Sequence, residues 1–126
     1  MNRTLITLIL AALPLGAVTT PALADDAAAV KVLAGVMAGL NHFPSAEEKE
    51  QLSGIAGDMD NSEAVRTIAL ALRDMQHSVA PAAKDKLVAI AASDEASAEV
   101  RQLADILVDL NHVPSAEAKA QLEALQ

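Results

Sequence analysis

Cysteine is absent from this chain, tryptophan and tyrosine are absent too, and Phe43 is the lone phenylalanine. Without cysteine there is no disulfide, no thiolate metal site and no lipid anchor on an N-terminal cysteine. A chain free of stray thiols suits an oxidising compartment. With Phe43 as the sole aromatic platform, stacking on bases or sugars is nearly excluded. Positive charge is scarce as well: nine Lys and Arg stand against seventeen Asp and Glu, a net charge of −8. The few cations form no cluster, which argues against nucleic acid and against anionic lipid surfaces as partners. Glycine-rich phosphate loops, His-Glu-x-x-His and calcium-loop spacings are all missing. Accordingly no catalytic residue and no cofactor is assigned, and the reading is of a protein that is not an enzyme.

No apolar run is long enough to span a bilayer, which takes roughly 20 residues. The longest, Leu5 to Leu13, comes after the single charge of Arg3 and is broken by Pro14 and Gly16. It leads to Ala22-Leu23-Ala24, small residues at the first and third places, and then at once to Asp25 and Asp26. Charged start, short apolar run and small-x-small site are the three parts of a cleaved export signal. Residues 1–24 are therefore expected to be removed, leaving 25–126 as one domain without a membrane segment, periplasmic or, alternatively, secreted.

What the chain has in quantity is alanine with Leu, Val, Ile and Met, a mixture that favours helices over sheets. It also repeats itself. Leu40-Asn41-His42-Phe43-Pro44-Ser45-Ala46-Glu47 returns seventy residues later as Leu110-Asn111-His112-Val113-Pro114-Ser115-Ala116-Glu117. Halfway between lies a weaker copy, with His77, Lys84 and Leu87 in the places of His42, Lys49 and Leu52. Upstream, Val30, Val65 and Val100 correspond, as do Leu33, Ile68 and Leu103, and Ala34, Ala69 and Ala104. A fixed period of this length is the mark of stacked supersecondary units.

Within each copy large apolar residues step by three, four and three, as in Val30, Leu33, Met37 and Leu40, which is one helical stripe. Pro44, Pro81 and Pro114 interrupt the chain beyond each stripe. A second helix restarts behind Ser45 or Ser115, and Ser45 with Glu48 forms a capping-box pattern. The expected fold is all-α: three tandem 35-residue helical hairpins, at about 25–59, 60–94 and 95–126, in a short right-handed α-solenoid-like stack.

The starts of two copies, Asp60-Asn61-Ser62-Glu63-Ala64-Val65-Arg66 and Glu95-Ala96-Ser97-Ala98-Glu99-Val100-Arg101, resemble the acidic turn and Val-Arg of HEAT-like repeats. The first copy has Lys31 in place of that Arg, and the Asn-His-x-Pro-Ser turn lies outside the HEAT pattern. The resemblance implies a protein-binding scaffold or adaptor without chemistry of its own. A competing resemblance is carried by Pro114-Ser115-Ala116-Glu117-Ala118-Lys119-Ala120-Gln121-Leu122, which is similar to helix starts in periplasmic LTxxQ-type proteins, although Leu-Thr-x-x-Gln itself is missing. It implies a stress chaperone or a metal-stress-responsive protein with one His per repeat.

That histidine is the sharpest chemical feature. His42, His77 and His112 are candidate metal ligands, but in a translated stack equivalent side chains point the same way from helices about 8–10 Å apart, whereas ligands must converge to about 2 Å from one ion. Only a closed, threefold-like arrangement would unite them. The expectation is thus no metal, with each imidazole ending its helix near the C-terminal carbonyls and Asn41 and Asn111 taking the left-handed position. Ser45 is accounted for as a helix cap and not as a nucleophile.

The first helix, Val30 to Leu40, carries only Lys31 as a charge and has Gly35-x-x-x-Gly39 along one stripe. A terminal repeat should be polar outside. Val32, Gly35, Val36 and Gly39 are therefore expected to form an interaction surface for another protein or a second copy, since a glycine stripe admits a close neighbour. For the export segment, the expected outcome of N-terminal sequencing of the exported protein is a first residue of Asp25; a membrane-embedded form that retains Arg3 and Leu5 would remove that expectation.

Overall fold

The computed structural model describes residues 26–126, so the export segment and its expected cut after Ala24 lie outside the described residues. All regular structure among the described residues is helical. α1 covers residues 26–38, and α2 (Ala46–Gly57), α3 (Glu63–Asp74), α4 (Pro81–Ala91), α5 (Ala98–Asp109) and α6 (Ala116–Ala124) come after it. None of these helices is long and apolar enough to cross a membrane.

The helix starts obey local chemistry. Ser45 accepts from the Glu48 amide at 3.2 Å while the Glu48 carboxylate accepts from the Ser45 amide at 3.0 Å, closing the capping box. Ser62, Ser97 and Ser115 accept from amides three residues on. α4 has no side-chain cap and begins on Pro81, whose missing N–H leaves one fewer orphan donor.

The odd- and even-numbered helices have different jobs. α1, α3 and α5 carry the apolar stripe and supply most of the core: Val30, Leu33, Ala34 and Met37; Val65, Ile68, Ala69 and Leu72; Val100, Leu103, Ala104 and Leu107. α2, α4 and α6 each insert one wholly buried leucine, Leu52, Leu87 and Leu122, and are otherwise mostly exposed. Ile55, Ala83, Ile90 and Ala118 from these helices are partly buried against the same core.

The close pairs differ from those expected. The repeat boundaries imply that α3 pairs with α4 across the histidine turn, yet the extensive contacts are α2 along α3 and α4 along α5, while α3 meets α4 and α5 more lightly. The turns explain this. Between α2 and α3, Asn61 is buried and its Nδ2 donates to the Ile55 carbonyl at 3.1 Å, folding the chain tightly back. The segments between α3 and α4 and between α5 and α6 instead run through an extended residue, a histidine and a proline or valine, which splays the flanking helices.

The chain also closes on itself, which a translated stack would not do. Ala124, Leu125 and Gln126 line a cleft with Ala27, Val30 and Lys31. A Cβ added at Gly35 would lie 3.6 Å from Gln126 Oε1. At the opposite end of α1 the histidine turns of the first and third copies meet directly: the His42 amide donates to the His112 carbonyl at 2.6 Å. The His77 amide donates to the His42 carbonyl at 3.0 Å and the His112 amide to the His77 carbonyl at 2.6 Å. The three histidines thus form a closed backbone cycle in which each residue donates once through its N–H and accepts once through its C=O.

The backbone is strained to make that cycle. His42, His77 and His112 have φ of 71°, 69° and 68°, the only positive values among the described non-glycine residues. Amides two residues apart bridge each one: Phe43 to Asn41 at 2.9 Å, Ser78 to Gln76 at 2.7 Å and Val113 to Asn111 at 2.7 Å. A positive φ spanned by such a bond is the rare γ-turn. It turns both the N–H and the C=O of its central residue sideways, free to bond a neighbouring turn. The left-handed position expected of Asn41 and Asn111 therefore falls on the histidines next to them in the chain.

Core packing and turn strain each carry an expected effect on stability. Leu72→Ala, which empties a fully buried site, is expected to lower unfolding free energy by about 2–5 kcal/mol, and Ala69→Leu, which overfills a helix contact, by about 1–3 kcal/mol; denaturant midpoints measure both. His77→Gly relieves a positive φ that costs about 1–3 kcal/mol in other residues, less the entropy glycine adds to the unfolded chain, so metal-free protein should gain about 1 kcal/mol. His77→Ala keeps the strain and should gain nothing.

Candidate three-histidine metal centre

Each of the three turns fixes its histidine in the same way. A buried residue, Leu40, Met75 or Leu110, ends the inward-facing stripe, an amide residue comes next, and the γ-turn then presents the imidazole. Because the three peptide groups are bonded to one another, the three Cα atoms are held together and the side chains leave the same pole. His42 and His77 ring centres lie 5.4 Å apart, His42 and His112 5.1 Å, and His77 and His112 4.8 Å. One ring nitrogen from each lies within 4.8 Å of the others.

This reverses the expectation that the imidazoles cannot converge. That expectation assumes translation along a stack, and a closed arrangement replaces translation with rotation about one centre. The imidazoles do not end their helices either: the C-caps of α3 and α5 are Met75 and Leu110, two residues earlier.

The donor set is chemically distinctive. All three histidines are exposed, and among the described residues no Asp, Glu or Cys belongs to the group. Three neutral imidazoles suit zinc, copper, nickel or cobalt, and they offer nothing to calcium or magnesium, which require oxygen. A four-coordinate zinc with nitrogens at about 2.0–2.1 Å places those nitrogens about 3.3 Å apart. The ring nitrogens, within 4.8 Å of one another, must draw closer to reach that spacing. Asn41 begins the outer arrangement: its Oδ1 lies 2.7 Å from His42 Nδ1. The bond is made if Nδ1 carries the proton, which leaves Nε2 as the ligand atom, the usual way a neighbouring oxygen fixes the tautomer of a metal-binding histidine.

Asp74, three residues before His77, is paired with Arg73. Arg73 Nε sits 2.8 Å from Asp74 Oδ1, and this hydrogen bond holds the Asp74 carboxyl below its ordinary range. Lys49 Nζ lies 5.7 Å from the Phe43 ring centre, a cation over an aromatic face beside the first histidine turn. Phe43 and Val113, the residues after His42 and His112, are 54% and 50% exposed and give the pole an apolar rim.

Of the surface expected on the first helix, one of the four residues lies in the core. Val36 is buried in the core, as are Ala71 and Ile106 at the equivalent positions of the other copies. Gly35 is partly covered and faces Gln126, Val32 is 39% exposed, and Gly39 is exposed. α1 lacks a polar outer face because the C-terminal segment lies beside it. Comparison with protein-family models, with curated proteins and with solved structures returns no match, so the chemistry of this pole rests on its own geometry.

Proposed function

We propose that this chain is an exported, periplasmic metal-binding protein in which His42, His77 and His112 hold one divalent transition-metal ion. In this reading its three 35-residue helical units, wound right-handedly, close into a ring instead of an open stack, and the ion sits on the ring's axis. The observation that carries the proposal is the convergence of three imidazoles from three separate turns, each in a backbone conformation that histidine rarely adopts. Glycine would fit such a turn at lower cost. Histidine in all three, at φ near 70°, is strain retained for the side chain.

The role proposed is metal binding, carried by a donor group of three imidazoles. Of the two functions implied by resemblance, the metal-stress reading gains the geometric support. The scaffold reading through Val32, Gly35, Val36 and Gly39 loses a central member with Val36 in the core.

Metal and fold are coupled here because the ligands come from the residues that close the ring. An ion bound to all three side chains joins the first unit to the third and stabilises the folded chain. At a free concentration of about 100 times Kd the gain is about 2.7 kcal/mol. In calorimetry with zinc, the mature protein is expected to take one equivalent per chain and to unfold at a higher temperature when loaded. A variant with His42, His77 and His112 all changed to Gln should lose at least about 100-fold in affinity, and the thermal shift with it. Equal binding by the variant would refute the site.

A further inference from the structure

An ion held by these three imidazoles is bound from one side only. On its inner side lies the peptide triangle, whose amides and carbonyls are engaged with one another. On its outer side is solvent, for all three histidines are exposed and no fourth Asp, Glu or Cys donor joins them among the described residues. Structural zinc sites are closed by four protein ligands, whereas three protein ligands leave a fourth position to water or substrate, the arrangement of catalytic sites, and that fourth ligand is exchangeable. The donors are also neutral, so the bound ion keeps its full positive charge and attracts an electron-rich fourth ligand. Phe43 and Val113, which come directly after His42 and His112, are themselves exposed.

We propose that the ion at this pole takes its remaining ligand from outside the chain, a nitrogen or sulfur donor, and changes hands by associative exchange. This rests on the metal-binding reading above. The incoming donor's lone pair forms a bond to the open position before any histidine leaves. The histidines then release in turn, one bond breaking for each that forms, with no change in oxidation state, and a thiol donor gives its proton to water as it binds. The γ-turns assist release: they hold the backbone independently of the metal, so the ion can depart without the ring opening.

Two measurements on the exported chain test the proposal. Loaded with cobalt(II), it should show a visible spectrum that changes and saturates as imidazole is added. Loaded with zinc and mixed with a chromogenic tridentate chelator, it should transfer metal at a rate proportional to chelator concentration, tenfold faster for tenfold more chelator. A transfer rate independent of chelator, or a cobalt spectrum unmoved by imidazole, would show a closed ion and overturn the exchange port. So would a doubled mass on loading, because a second copy would then occupy the open position. Failure of the metal reading itself looks different: the wild-type chain would retain no more zinc or cobalt than the triple Gln variant, and the exchange port would fall with it.

Discussion

Three hydrogen bonds between peptide groups hold the most consequential part of this molecule. His42, His77 and His112 each give an amide to one neighbour and a carbonyl to the other, at 2.6 to 3.0 Å. A backbone bond of this kind contributes only about 1 kcal/mol net, so the cycle is not a large source of stability. Its importance is positional. It joins the first histidine turn to the third and brings three side chains together. The core beneath it is compatible with that closure because Ala34, Ala69 and Ala104 are wholly buried at one repeated position, where a larger residue would hold the helices apart.

Strain and site are linked through the same atoms. A γ-turn is the conformation that aims the N–H and C=O of one residue at two neighbours, and its positive φ is the cost of doing so. Placing the ligand at the centre of such a turn ties side-chain direction to backbone direction. The backbone positions of the three histidines are thus fixed by hydrogen bonds among themselves, the kind of support that the proposed site needs to be formed in advance.

Much of the helical layout is legible in the residues alone. The steps of three and four from Val30 to Leu40 mark the buried stripe, Ser45 with Glu48 marks a helix start, and Leu52, Leu87 and Leu122 recur as the inward residues of the even-numbered helices; all occupy those roles. The pairing of helices is not legible, because a 35-residue period is the same whether the close neighbour of α3 is α2 or α4. Nor is closure: the length of a repeat does not state the angle between successive copies, and a small angle gives a stack where a large one gives a ring. The histidines are visible as a repeated residue, but the γ-turns are not. Asn41 and Asn111, which tolerate positive φ far better than most residues, draw the left-handed assignment to themselves. A hint is present in the middle copy, where Gln76 stands for Asn and His77 alone is kept.

Gln126 against Gly35 has a consequence for how the chain reaches its folded state. In an open solenoid the first units can settle while later ones are still being made, since each touches only its neighbours. Here Gln126 lies beside the first described helix, and the third histidine turn supplies a bond to the first. These contacts therefore wait for the third unit, with the slow closure that distant contacts impose. The same closure limits evolution by duplication. A stack accepts a fourth copy at either end, but in a cycle of three where every donor and acceptor is used, a newcomer must break one bond to enter.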